Sequence, residues 1–309
     1  MTYANPATAT TTPPGATGGL SASASAPPAR GPRRGLQQTL IYTVLVAGAL
    51  ILMIPFAWMV SSSLKTEEEA QSSTLSWETL LPAEPQWENY PDALERMDFT
   101  SALANTVVIT VCCVIGQILS SSIVGYGFAR LRFRGRDAVF LLMLATIMLP
   151  AQITMIPVFI LFRSLGWIDT LLPLIVPAWL ASPFFVFLFR QFFAQVPEDL
   201  IEAARVDGAS HWRIYWSLML PLSKPVIAIV AVYTFMFTWN DFLAPLIYLH
   251  SPENATLTLA LNRFRDQYGV ANAHLLMAAA CVTLLPCVIL FFAAQRYFVQ
   301  SVASTGLKG

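Results

Sequence analysis

The chain has 309 residues, of which 56% are hydrophobic and only 12% charged; a soluble domain of this size would carry roughly 25% charged residues. Mean hydropathy is +0.59, and eighteen basic residues balance eighteen acidic ones to a net charge of zero. Long apolar runs with so little charge indicate a polytopic membrane protein, and the charge balance gives no reason to expect a nucleic-acid partner.

Residues 1–29 are almost wholly Ala, Thr, Ser, Pro and Gly, too polar and too small to bury a core. A disordered cytoplasmic tail is expected over 1–35. It lacks the basic start and short apolar core of a cleavable signal, and Arg30, Arg33 and Arg34 lead directly into the first apolar run. From 36 to 309 an all-α transmembrane domain is expected, with six spans near 40–61, 104–128, 138–161, 171–193, 226–249 and 274–295. Each is long enough to cross about 30 Å of hydrocarbon at about 1.5 Å per residue.

Basic residues orient these spans. Thirteen of the eighteen fall on the side that holds the Arg30–Arg34 cluster, the run Arg130, Arg132, Arg134, Arg136, and the segment around Arg205, Arg213 and Lys224. Both termini are therefore expected in the cytoplasm. The outer loop near 62–103 is acidic, from Glu67-Glu68-Glu69 to Asp98, and reads as a solvated like-charged stretch. Prolines interrupt the spans at Pro55, Pro150, Pro157, Pro173, Pro177, Pro183, Pro245 and Pro286. They kink helices, which suits a moving pathway but is also ordinary in membrane helices. Cys112, Cys113, Cys281 and Cys287 lie in apolar runs at no zinc or disulfide spacing and read as packing residues. His250 and His274 are isolated, and no metal site is expected.

One segment breaks the apolar pattern. Between spans four and five, on the expected cytoplasmic side, residues 202–225 read EAARVDGASHWRIYWSLMLPLSKP. Pro197 can open a helix, with Glu198 and Asp199 at the positive end of its dipole. Asp207-Gly208 can close it in a left-handed turn. Ser210 can cap a second helix from His211 to about Met219, which Leu220-Pro221 would terminate, displaying Trp212 and Tyr215. The pattern suits a knob for a partner protein. An amphipathic helix at the lipid surface is the plainer alternative, but its polar face would be basic, and this one leads with acid.

Within the spans, Asp241 is the one carboxylate set well inside, at a cost of about 2.5–3.5 kcal/mol unless it finds a partner. Trp239, Asn240 and Asp241 could line a solute pathway or be polar glue between helices, at about 0.6 kcal/mol per hydrogen bond. The aromatic run 183–189 reads as packing and lipid-facing bulk. Ser121 and Gly125 stand four apart, the spacing of close helix contact.

The segment Glu202-Ala203-Ala204, with Asp207, Gly208, Ser210 and Leu218-x-Leu220-Pro221, resembles the EAA loop of binding-protein-dependent ABC importer permeases. The stretches Tyr126–Arg130 before Phe133-Arg134-Gly135, Thr238–Phe242 and Gln295–Val299 are similar to the carbohydrate-uptake branch of that superfamily, whose familiar example is the six-span permease of the maltose system. The likeness spans about 36–309. It implies the fold of those permeases, a prokaryotic cytoplasmic (inner) membrane location, and an assembly with a second homologous permease, two cytoplasmic ATP-binding subunits and an extracellular solute-binding protein. The 197–225 segment would be the coupling loop, docking through Glu202, Ala203, Ala204, Asp207, Gly208, Ser210, Trp212, Tyr215, Leu220 and Pro221. No catalytic residue and no cofactor are implied for this chain; ATP and Mg²⁺ would be used by the partner ATPase. The chain itself has no G-x-x-x-x-G-K-[ST] phosphate loop.

The implied cargo is a sugar or oligosaccharide. A glycerol phosphoester or a polyamine would fit the same architecture, and a proton-coupled secondary transporter with Asp241 as proton carrier is a rival of another class. A membrane-embedded enzyme would need converging His, Asp or Ser residues that the spans do not offer.

Overall fold

The computed structural model describes residues 32–72, 81–268 and 272–306, with side chains left aside at 32–37, 266, 268, 294 and 296–306. The expected tail over 1–31 lies outside the described residues. The chain divides into residues 1–53 and 54–309. The first contains the leading part of helix α1 (Pro32–Ser63), which begins four residues inside the expected tail, and its apolar side chains such as Leu40, Leu45 and Leu52 are exposed.

The second unit holds every other element. These are α2 (Glu67–Ser72), α3 (Asn89–Arg96), α4 (Phe99–Arg130), α5 (Arg136–Ala145), α6 (Ala151–Ser164), α7 (Leu172–Ile175) continuing as a 3₁₀ segment Val176–Leu180, and α8 (Pro183–Gln195). After them come α9 (Glu198–Val206), α10 (His211–Ile214), α11 (Leu220–Leu222), α12 (Lys224–Trp239), α13 (Leu243–Tyr248), α14 (Leu257–Tyr268) and α15 (Ala273–Gly306). No strand occurs among the described residues. By length and composition four helical stretches can cross a membrane, and six can if two bent pairs each count as one span. The bends are 97° between α5 and α6 and 75° between the α10–α11 stretch and α12.

Prolines explain much of this segmentation. Pro55, Pro157 and Pro286 sit inside continuing helices. Pro150, Pro173, Pro177 and Pro183 instead stand at helix starts or breaks, where the missing N–H costs nothing. The fifth span was expected to be continuous over 226–249, but it breaks after Trp239. There the Asn240 side-chain amide donates to the Met236 carbonyl at 2.8 Å, beside the longer 3.4 Å bond from the Asn240 backbone N–H, and so closes the last turn of α12. The acid-rich stretch also contains short helices, and Glu67, Glu68 and Glu69 occupy the first turn of α2, where negative charge suits the dipole. Residues 73–80 of that stretch lie outside the described residues.

Helix α4 is the axle of the second unit and packs chiefly against α8 and α12. The approach to α8 is close because Gly125 lacks a side chain: a Cβ there would stand 2.7 Å from the Phe189 Cβ and 3.2 Å from backbone atoms of α8. Ser121, one turn earlier, is fully buried on the same contact. One apolar cluster, built on Tyr126, Phe189, Phe193, Ile201, Ile214, Tyr215 and Met219, fills the end where α8 meets α9. Another, built on Ala93, Trp239, Leu257, Phe264 and Leu275, fills the region of α3, α14 and α15.

Away from α9, Asp169 ties two loops together. Its backbone is left-handed at φ +63°, its carboxylate accepts from the His250 and Ser251 amides at 2.9 Å each, and the Ser251 hydroxyl also donates to it. Asn254 donates to the Asp169 carbonyl at 2.7 Å, and Arg263 donates to the His250 carbonyl at 2.9 Å.

Two predictions follow from this packing. Gly125→Ala should destabilise the purified protein by about 1–3 kcal/mol, because the intruding methyl meets α8 backbone. Gly127→Ala, where a Cβ meets nothing within 4 Å, should be neutral or stabilising by up to about 1 kcal/mol; thermal unfolding in detergent separates them. The hydrogen bonds from Ser251 and His250 hold the Asp169 carboxyl well below the usual carboxylate range of about 3.9. Its stabilising effect is thus complete at neutral pH and falls away as acid protonates it below about pH 4. Melting temperatures of wild type and Asp169→Asn should differ at pH 7 and converge on acidification.

Candidate functional site

Two features stand out: a bent surface element over 197–222 and a cavity between α4, α8 and α12.

The bent element begins with Pro197 in extended conformation, and α9 follows with Glu198 and Asp199 in its first turn. The helix ends at Asp207, and Gly208 takes φ +79°, so its amide and that of Ala209 return to the Arg205 and Ala204 carbonyls at 2.9 Å each. This is a left-handed helix closure, the conformation glycine adopts at least cost. Ser210 then caps α10, its hydroxyl accepting from the Arg213 amide at 3.3 Å.

Two expectations need correction here. Pro221 does not end the second helix. The chain widens into a π-helical turn over Tyr215–Met219, continues through Leu220–Leu222 and breaks at Ser223. A proline at 221 has no N–H for the Ser217 carbonyl, and the ladder takes up that loss in a wider register upstream. Tyr215 is not displayed either. It is 1% exposed, and its hydroxyl meets that of Ser122 on α4 at 2.7 Å. Trp212 is 61% exposed and stands edge-on to the Tyr215 ring. Along α9 the buried residue is Ile201, while Glu202, Ala203, Arg205 and Asp207 face outward.

The element is fastened at both ends. Arg130, the last residue of α4, is buried and donates to the Phe193 and Val196 carbonyls at the close of α8. Its other terminal nitrogen pairs with Glu198 at 2.8 Å. Tyr126, one turn back, packs against Phe193 and Tyr215. Sequence reasoning missed Arg130 as the clasp, because in a chain of this kind an arginine at a span end reads as an orientation signal.

The cavity, about 390 Å³, is bounded by α4, the 3₁₀ segment, α8 and α12. Of the three expected pathway residues only Asp241 lines it. Trp239 is buried against Phe235 and donates to the Thr283 carbonyl at 3.3 Å, so it belongs to the contact with α15. Asn240 is spent on the helix break. Asp241 accepts from the Ala244 amide at 3.3 Å, capping α13, while its own carbonyl accepts from the Thr258 hydroxyl at 2.6 Å. The aromatic run 183–189 divides: Val186 and Phe189 pack fully buried, and Phe185 reaches the cavity wall. Cys113 donates to the Leu174 carbonyl at 3.2 Å, a packing role.

Removing the Tyr215 hydroxyl should loosen the bent element without collapsing it. Tyr215→Phe is expected to cost about 0.5–1.5 kcal/mol, read as a lowered melting temperature together with faster amide exchange over 209–222.

Residues 117–304 match the family described as binding-protein-dependent transport system inner membrane component. The chain is 39% identical to the arabinooligosaccharides transport system permease protein AraQ of Halalkalibacterium halodurans, over 66% of this chain and 73% of that protein. It is 32% identical to the lactose transport system permease protein LacG of Rhizobium radiobacter, over 87% and 96% of the two chains. A crystal structure of a bacterial ABC transporter involved in import of the acidic polysaccharide alginate superposes with a TM-score of 0.76 at 23% identity, covering 88% of this chain and 100% of that one. A second, of a bacterial alginate ABC transporter with a pentasaccharide-bound periplasmic protein, gives 0.61 at 14% identity over 84% and 94%.

Proposed function

From the premise that this chain belongs to the family of binding-protein-dependent transport system inner membrane components, we propose that it imports a sugar or oligosaccharide and is driven through its bent element by a separate ATPase. Membership makes it an inner-membrane permease subunit of an ABC importer that works with a solute-binding protein, and not the subunit that hydrolyses ATP. It also sets aside the proton-driven alternative.

The cargo reading rests on relatives. The proteins named for arabinooligosaccharides, lactose, and melibiose, raffinose and stachyose are 31–39% identical to this chain. The drive reading rests on geometry. An acidic helix, a glycine bend and an exposed tryptophan project from the unit, while Arg130 and Tyr215 bind their base to α4. Charged groups on that outer face are compatible with a protein socket, and the acidic lead disfavours anionic lipid.

In this reading Glu202, Ala203, Ala204, Asp207, Gly208, Ser210 and Trp212 face a cytoplasmic ATPase dimer, and Leu220 and Pro221 continue the lever toward α12. Tyr215 acts from inside, holding the lever to the bundle. A second, homologous permease completes the pathway, an extracellular binding protein delivers the solute, and both termini lie in the cytoplasm. ATP and Mg²⁺ act on the partner, and this chain holds no cofactor.

The test uses the complete complex in proteoliposomes with its binding protein and a solute panel of α- and β-linked oligosaccharides, spermidine and glycerophosphodiesters. Saccharide uptake that requires ATP is expected; uptake of the polyamine or phosphodiester instead overturns the cargo reading. Gly208→Pro cannot adopt φ +79°. It should insert and assemble yet lose ATP-dependent uptake, and normal uptake by that variant overturns the drive reading.

A further inference from the structure

We infer that the cavity wall of this chain carries its own solute-contact subsite for a neutral, hydroxyl-rich molecule, formed by Gln117, Thr234 and Asp241. The inference deepens the saccharide reading and rests on it.

Gln117 on α4 lines the cavity. Its amide oxygen accepts from the Ser121 hydroxyl and from the Ser182 backbone N–H, each at 3.2 Å. A backbone N–H can only donate, so the oxygen must face it and the amide NH₂ is turned the other way. That NH₂ has no protein partner among the described residues. It offers two donors to whatever enters.

Thr234 on α12 is 5% exposed and lines the same cavity. A threonine in mid-helix ordinarily spends its hydroxyl on the carbonyl four residues back, and Thr283 on α15 does so, at 2.9 Å to Ala279. The Thr234 hydroxyl has no partner. A buried hydroxyl left unpaired costs about 1–3 kcal/mol, a cost that an incoming hydroxyl would remove.

Asp241 lies just beyond the break that ends α12 and lines the same cavity as Thr234. Its Oδ1 caps α13, and among the described residues no basic side chain forms an ion pair with it. Donor, hydroxyl and acceptor therefore line one cavity, with Phe185 and Phe237 supplying apolar surface. A diol can donate to the carboxylate and the threonine while accepting from the amide. The cavity's 390 Å³ lies within the roughly 300–1,000 Å³ range of small-molecule sites. No Lys, Arg or His lines it, which leaves a phosphoester anion facing Asp241 without a counter-charge.

The experiment compares Gln117→Leu, Asp241→Asn and Thr234→Val in the full complex with its binding protein. The solute is the saccharide that wild type transports fastest, and the quantity measured is solute molecules moved per ATP hydrolysed. Asparagine caps a helix as well as aspartate does, so Asp241→Asn removes the charge and keeps the α13 cap. Thr234→Val is isosteric and supplies the answer should another variant fail to assemble. A subsite predicts that the ratio falls about tenfold to a hundredfold, the loss of one or two charge-assisted or buried hydrogen bonds. Uptake and hydrolysis falling together at an unchanged ratio, or neither changing, overturns the subsite. A wild-type complex that moves no saccharide at all overturns the cargo reading, and that result comes from wild type alone.

Discussion

The construction depends on a contact between two hydroxyls that water does not reach: Tyr215 beneath the bend and Ser122 in the last third of α4, 2.7 Å apart. Both residues are essentially fully buried. Separating them would leave the Tyr215 hydroxyl unpaired in an apolar cluster, since Ser122 can fall back on the Leu119 carbonyl at 3.2 Å, so the bend cannot slide over the bundle without a cost of about 1–3 kcal/mol. Arg130 adds a second fastening about two turns further along α4, bonding the carbonyls at the close of α8. Chain entering and leaving the bend is therefore fixed to one helix. That is the property a lever needs, because a close-packed element has discrete arrangements and does not yield gradually to a push.

Close approach makes these fastenings reachable. Gly125 brings α8 to backbone distance, and Gly116 makes room for the Trp179 ring of the 3₁₀ segment, since a Cβ there would fall 2.7 Å from that ring. Were α4 lined by ordinary side chains, the carbonyls that Arg130 caps and the hydroxyl that Ser122 meets would stand farther away. Small residues in a membrane helix thus act indirectly: they shorten distances so that polar side chains elsewhere can find partners.

What was legible in the sequence follows the range of the forces involved. The first helix of the bend, its glycine closure and the Ser210 cap are local, set by a residue and its neighbours within four positions, and each appears where composition and spacing place it. The apolar spans are equally local. The burial of Tyr215 was not legible, because its partner lies 93 residues away. For the same reason Trp239 reads as a pathway residue beside Asp241, although its partner, the Thr283 carbonyl 44 residues on, draws it out; Asn240 bonds the local Met236 carbonyl, and what hid this was that the helix break exposing that contact is not marked by any glycine or proline. Arg130 was hidden differently: an arginine at a span end serves as an orientation signal whatever else it does.

The cavity's chemistry is also a consequence of helix breakage. A straight fourth span would satisfy every backbone amide internally, and Gln117 would be free to rotate. The span bends at Ala181, whose φ is +61°, and this releases the Ser182 N–H inside the bundle. Lipid offers that group no acceptor, so a side chain must supply one, and Gln117 does so with Ser121 beside it at 3.3 Å. The requirement fixes the amide oxygen toward the break and thereby points the NH₂ away from it. In the fifth span, the break after Trp239 sets Asp241 at the start of α13 with one oxygen committed to the Ala244 amide. Two interrupted helices thus dictate which polar atoms are consumed by the fold and which remain on the cavity wall. Straightening either span would alter the wall's hydrogen-bonding character without changing a single residue that lines it.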